Sequence, residues 1–189
     1  MADDPKSKHN TREYIKKTFL AIYKNKPLGQ IYISDLIKAC SIARGTFYFH
    51  FDNIETLYRE CEKDIIDKME ADLDNVVICT VGVNEEEFTK VYTGLIKNYR
   101  DDLEAYKCLL CGSEEASFRS AWFESIRRNY EKTMRFSKET SPARREYLTR
   151  FFAGGVLALL SSWVLNDCRE PAEDIASVEA QALFNGVFK

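Results

Sequence analysis

Arg44, Gly45, Thr46, Tyr48, Phe49 and His50 crowd into one short stretch, RGTFYFH, which runs on into Phe51, Asp52 and Asn53. Together these side chains carry the chemistry of a nucleic-acid contact. A guanidinium forks onto guanine, and a threonine hydroxyl serves base or phosphate. Tyrosine and histidine bond phosphate oxygens, and an aromatic ring meets a thymine methyl. Glycine keeps the backbone slim enough for N–H groups to approach a phosphate. Aromatic density also suits a strand, and a merely packed helix in an all-α bundle is the plain alternative. A helix over 44–50 sorts the residues: Phe47 and Phe51 lie four apart and face a core, while Arg44, Thr46, Tyr48, Phe49 and His50 point outward.

Little else in the chain is reactive. The second histidine is His9, and there is no glycine-rich phosphate loop, nucleophile elbow or metal-ligand cluster. Cys108 and Cys111 form a C-x-x-C without the further ligands a zinc site needs. On a helix they are two small apolar residues on one face. No catalysis, metal or cofactor is expected.

The elements that must hold the stretch read as helices. Eight Gly and four Pro in 189 residues are too few for a turn-rich β fold, and 45% hydrophobic residues fill a core. A first helix opens at Asn10 or Thr11, carries Ile15, Phe19 and Ile22, and stops before Pro27 and Gly29. A second spans about 33–40, Ser41-Ile42-Ala43 breaks the chain, and the aromatic stretch follows. After Asp52-Asn53 a long helix to about 76 repeats Leu57, Cys61, Ile65, Met69 and Leu73. Residues 78–84 read as a connector. Further helices are expected over 85–99, 101–111, 115–136, 142–166 and 172–187, about nine in all. Two short helices, a tight turn and a reading helix make the helix-turn-helix plan.

Charge supports a polyanion at the head. Residues 1–60 carry a net +3 and the remainder −6. The start MADDPKSKHN is polar, with no apolar run behind it, so a cytoplasmic protein with reduced thiols is expected. The apolar run from Phe151 to Leu165 is short for a bilayer and reads as a buried helix, with no membrane partner.

The run ARGTFYFHFDNIETLY, behind IYISDLIKACSI, resembles the N-terminal DNA-binding domain of TetR-type transcriptional regulators. The tail FFAGGVLALLSSWVLNDCREPAEDIA resembles the C-terminal domain of the branch that includes dihydroxyacetone-kinase regulators. The resemblance implies an all-α fold: a three-helix helix-turn-helix domain over 10–55 and a helical effector-binding and dimerisation domain over 56–189. It implies DNA contacts from Arg44, Gly45, Thr46, Tyr48, Phe49 and His50, with Asn53 as a further donor. Three positions depart from the family pattern: Ser41 replaces the turn glycine, Ala43 the helix-opening Ser or Thr, and Ile54 a phosphate-holding lysine. Fewer ionic contacts, and a shallower salt dependence than a lysine-bearing relative, follow.

The implied partners are a palindromic double-stranded operator, a second copy of the chain and a small-molecule effector. A homodimer would pair through Gly154, Gly155, Ala158, Ser161 and Ser162, small residues that allow close approach. Tyr92, Tyr99, Tyr106, Trp122, Phe123 and Trp163 are the aromatics from which an effector pocket would be drawn. The expected function is a repressor-type regulator. The alternative is a co-regulator of the same fold that acts through protein contacts with weak or no DNA binding.

Overall fold

The computed structural model describes residues 5–80, 83–134 and 141–185. Among these, nine α-helices and two single 3-10 turns account for the regular structure. The helices are α1 (Pro5–Tyr23), α2 (Ile33–Cys40), α3 (Arg44–His50), α4 (Ile54–Thr80), α5 (Glu85–Lys97), α6 (Leu103–Cys111), α7 (Glu115–Met134), α8 (Pro142–Leu165) and α9 (Ala172–Phe184). The turns are Leu28–Gln30 and Asn98–Arg100. The fold is therefore all-α, as the sequence predicts.

Three boundaries differ from the sequence reading. Helix α1 begins at Pro5, so Asn10 and Thr11 lie inside it rather than capping it. Proline at the first position is pre-set for a helix and has no N–H to lose. Helix α4 continues to Thr80, through the first part of the expected connector at 78–84. The expected end of the last helix, 185–187, falls partly outside the described residues.

Each early helix buries one stripe. Ile15, Phe19 and Tyr23 of α1, Leu36 and Cys40 of α2, and Phe47 of α3 meet Leu57 and Tyr58 of α4. Helix α2 is short, and its start is secured by Asp35, whose carboxylate accepts the Tyr32 N–H at 3.1 Å. Lys26, 2.7 Å away, and that backbone bond hold the Asp35 acid below its ordinary range.

The turn between α2 and α3 is strained where the sequence lacks its glycine. Ser41 sits in the left-handed region at φ 53, ψ 41. The Ile42 N–H closes onto the Ile37 carbonyl at 3.2 Å, which fixes that geometry. Replacing Ser41 with glycine removes the Cβ clash of about 1–2 kcal/mol and gives back less than that in unfolded-chain entropy. Ser41→Gly should therefore stabilise the protein by about 0.5–1 kcal/mol, read as a raised urea midpoint with an unchanged slope.

The body is a bundle in which α8 lies along α7, α9 along α5, and α4 packs on both α5 and α7. Helix α8 is long and apolar enough to cross a membrane by length and composition. Its Ala153, Val156, Leu160, Trp163 and Val164 are buried in the bundle core. Cys108 of the C-x-x-C is buried and donates to the Leu20 carbonyl at 3.0 Å, whereas Cys111 is exposed.

Besides the Cys108–Leu20 bond, head and body are fastened by ion pairs and by a docked bend. Helix α4 pairs with α1 through Arg12–Glu60 and Lys16–Asp64. The bend between α6 and α7 docks on α1: the Glu114 N–H donates to Tyr23 Oη at 2.9 Å, and the Leu28 N–H to Ser113 Oγ at 3.1 Å. Gly112 makes that approach possible, since a Cβ there would lie 2.3 Å from the Tyr23 ring.

Candidate nucleic-acid interface

Helix α3 is held by one buried side chain. Phe47 is fully buried and packs on Phe51, 6.0 Å between ring centroids. The Arg12 guanidinium lies 5.1 Å from the Phe51 ring and ties α1 to the end of α3. With Phe47 turned inward, helical periodicity sends the neighbouring side chains to the surface.

The structure brings the candidate contacts onto that surface. Arg44 and Gly45 are exposed and Thr46 is half-buried. Tyr48 is 45% exposed and Phe49 62%. The Arg44 guanidinium donates to Tyr48 Oη at 3.2 Å and lies 5.6 Å from its ring centroid, so the two form one prepared unit. Phe49 meets His50 edge-on at 5.0 Å, and His50 is half-buried. A Cβ added at Gly45 meets nothing within 4 Å, leaving that side open to a close approach.

The flanks bear out the local expectations for two departures. Ala43 stands at the N-cap of α3 with no side-chain cap. Ile54 is buried at the start of α4, an apolar anchor where a lysine would have reached outward. Asn53 serves the fold as well: its Oδ1 accepts the Thr56 N–H at 2.7 Å and caps α4. Only its amide N–H groups are left for the donor role the sequence assigned to it.

Two exposed features escaped sequence reasoning. Tyr32, just before α2, is 63% exposed with Lys26 Nζ 5.4 Å from its ring centroid. On α8, Tyr147 and Phe151 are each 73% exposed. Their four-residue spacing continues through Gly155, and Ala158, Ser162 and Leu165 extend the same exposed strip. That spacing was the available signal; attention to small residues hid it. Gly154 is half-buried, and Ser161 is turned inward with Oγ donating to the Ala158 carbonyl at 3.3 Å.

The six pocket candidates line neither of two surface clefts. Tyr92, Tyr99, Tyr106, Trp122 and Trp163 are buried and Phe123 is half-buried. Tyr99 stacks on Tyr106 at 4.9 Å and on Trp122 at 5.9 Å, while Trp163 Nε1 donates to the Glu170 carbonyl at 3.1 Å. One cleft of about 770 Å³ opens between α1, α4 and α6, beside Lys17, Lys24 and Leu103. The other, of about 700 Å³, lies along α5 beside Glu173.

Comparison with known proteins agrees with this architecture. The TetR family profile described as "Transcriptional regulator C-terminal region" matches residues 86–184. The fold is similar to the fatty acid degradation regulator FadR from Bacillus halodurans, at 14% identity and TM-score 0.68, covering 100% of this chain and 99% of that one. It is similar to the dihydroxyacetone kinase operon activator DhaS, at 16% identity and TM-score 0.61, covering 92% and 93%. It is also similar to FadR from Bacillus subtilis, solved in complex with stearoyl-CoA, at 18% identity and TM-score 0.58, covering 92% and 97%. No curated protein matches the sequence.

Proposed function

We propose that this chain, which belongs to the TetR family of transcriptional regulators, is a cytoplasmic repressor that binds a palindromic operator as a homodimer and answers to a small-molecule effector. Residues 10–55 form the DNA-reading unit, and 56–189 sense and pair. The observation that carries this reading is the outward set of α3: the joined Arg44 and Tyr48 beside Phe49, raised on a buried Phe47. Tyr48 and Phe49 gain nothing from water, and their chemistry suits a duplex.

Pairing is supported by the exposed strip on α8. Tyr147, Phe151 and Leu165 offer apolar area, and Gly155, Ala158 and Ser162 between them allow two backbones to approach. Val178 and Phe184 on α9 are exposed as well. An effector acts by binding one spacing of the two heads better than the other. Its influence reaches the head along α4 and through the bend at Gly112–Glu114, which touches Tyr23. A small molecule as effector is in keeping with the Bacillus subtilis FadR neighbour, solved with stearoyl-CoA.

The test is retention of mixed genomic fragments, with sedimentation of the same protein. Palindromic fragments should be retained by a dimer. Phe151→Glu should sediment as a monomer at micromolar concentration and release the fragments, because a palindrome is read by two heads. A wild-type monomer would overturn the pairing. A folded dimer that holds no DNA at low salt would replace this reading with the co-regulator, whose capless Ala43 and inward Ile54 spare phosphate contacts.

A further inference from the structure

Five polar atoms in the body are buried without a hydrogen-bond partner among the described residues. They are Tyr92 Oη and Thr93 Oγ1 on α5, Trp122 Nε1 and Ser125 Oγ on α7, and Glu179 Oε2 on α9. All five residues are more than nine-tenths buried. Native interiors leave few such atoms, and each asks for an explanation. Here they lie on three helices, and one of them belongs to a carboxylate.

Glu179 is that carboxylate. Tyr130 Oη donates to Oε1 at 2.5 Å. The Tyr92 phenol approaches from α5 but makes no hydrogen bond of good geometry. Among the described residues no lysine, arginine or histidine pairs with it. Burial pushes the acid up to about 7, against the pull of Tyr130 and Tyr92. Around it the rings are doubled: Phe88 stacks on Tyr92 at 5.4 Å and Phe152 on Tyr130 at 5.8 Å.

A buried carboxylate lacking a cation attracts positive charge. The same site repels a carboxylate or a phosphate. We propose that the seam of α5, α7 and α9 around Glu179 is the recognition point for an organic amine, whose ammonium group takes the place of the absent cation beside Glu179 Oε2. This rests on the reading above that the body senses a small molecule, and it names the chemical class. Thr93 belongs to the buried set and also borders the cleft of about 700 Å³ along α5, which Lys90, Gly94, Lys97 and Glu173 line with it. A Cβ added at Gly94 meets nothing within 4 Å.

Proton competition follows from the same arrangement. The groups facing the carboxyl are the Tyr92 and Tyr130 phenols, both held above their ordinary range by burial first and by Glu179 second. Glu179 is therefore the group there that titrates near neutrality, and an ammonium must displace its proton at lower pH.

Wild type and Glu179→Gln are titrated calorimetrically with phenylbutylamine, phenylbutanol and phenylbutyrate, at about pH 8 and about pH 6. Wild type should prefer the amine over the alcohol by about tenfold or more at the higher pH, with the acid weakest. That amine affinity should drop roughly tenfold at the lower pH, because the proton on Glu179 then competes. Glu179→Gln keeps the shape and an acceptor for Tyr130, so it should fold, bind the alcohol as before, and lose both the preference and the pH dependence. Equal affinities, a preference that survives in Glu179→Gln, or no heat from any probe would overturn the assignment. Fragment retention is scored separately: a protein that holds its operator but ignores the amine keeps the regulator and removes this site. One that prefers the amine but holds no DNA keeps this site and removes the operator.

Discussion

Operator affinity should fall by about a hundred- to a thousandfold when Arg44 and Tyr48 are both replaced by alanine, while the protein stays folded. A good base or phosphate contact contributes about 1–3 kcal/mol, and this change removes two of them. Neither side chain is buried, so the core of the head is untouched. The two also act on each other. Tyr48 Oη and its ring hold the Arg44 guanidinium in place before any DNA arrives. Each single alanine change should therefore take part of the other's contribution with it. The losses should be non-additive by about 0.5–1 kcal/mol in a double-mutant cycle. Anisotropy titrations of the retained fragment, with far-ultraviolet dichroism as the control for folding, decide the matter. Affinity within a few-fold of wild type would remove α3 from the DNA surface.

One residue away, Phe47→Ala should cost about 3–5 kcal/mol of stability, enough to unfold much of a marginal head. Phe47 is fully buried, and it is the one buried residue of α3. A helix this short has no stability of its own and exists because it is docked. With Phe47 truncated, Phe51 loses one of its ring neighbours and α3 loses its anchor. DNA binding would then vanish through unfolding rather than through a missing contact. Phe49→Ala supplies the contrast. Its ring is 62% exposed, so stability should move by less than about 0.5 kcal/mol. Urea denaturation of the two variants separates anchor from contact. Similar losses for both would mean that the division of the aromatic stretch into two faces is wrong.

That division was legible before any coordinates because a helix imposes it. Once 44–50 is helical, Phe47 and Phe51 must share a side and Tyr48 and Phe49 must leave it. At Ser41 the sequence showed only that the turn glycine is missing; the left-handed backbone that the serine adopts there came from the structure. What stayed hidden depends on which helix crosses which. Glu173, Asp174 and Glu179 look alike along α9, and only the packing of α5 along α9, with Tyr130 reaching in from α7, decides that the third is buried. The exposed Tyr147 and Phe151 were hidden by the opposite effect. An aromatic pair in an apolar helix reads as core until the packing shows that nothing covers it. The start of α1 and the end of α4 were misplaced because good capping residues and a β-branched run bias a boundary without fixing it.

The contact at Gly112 bears on how this architecture could be rebuilt. Reading heads look separable in sequence, and a natural place to cut and splice is the short link between α3 and α4. A head grafted from there onto a foreign body would arrive without the bend that receives Tyr23, and any residue larger than glycine at the receiving position would push the ring away. The transferable part is discontinuous: the first three helices, the adjoining turns of α4, and a separate patch around residues 112–114. Chimaeras that carry that patch should inherit the head's regulation, whereas those cut only at the link should bind DNA without listening to the body.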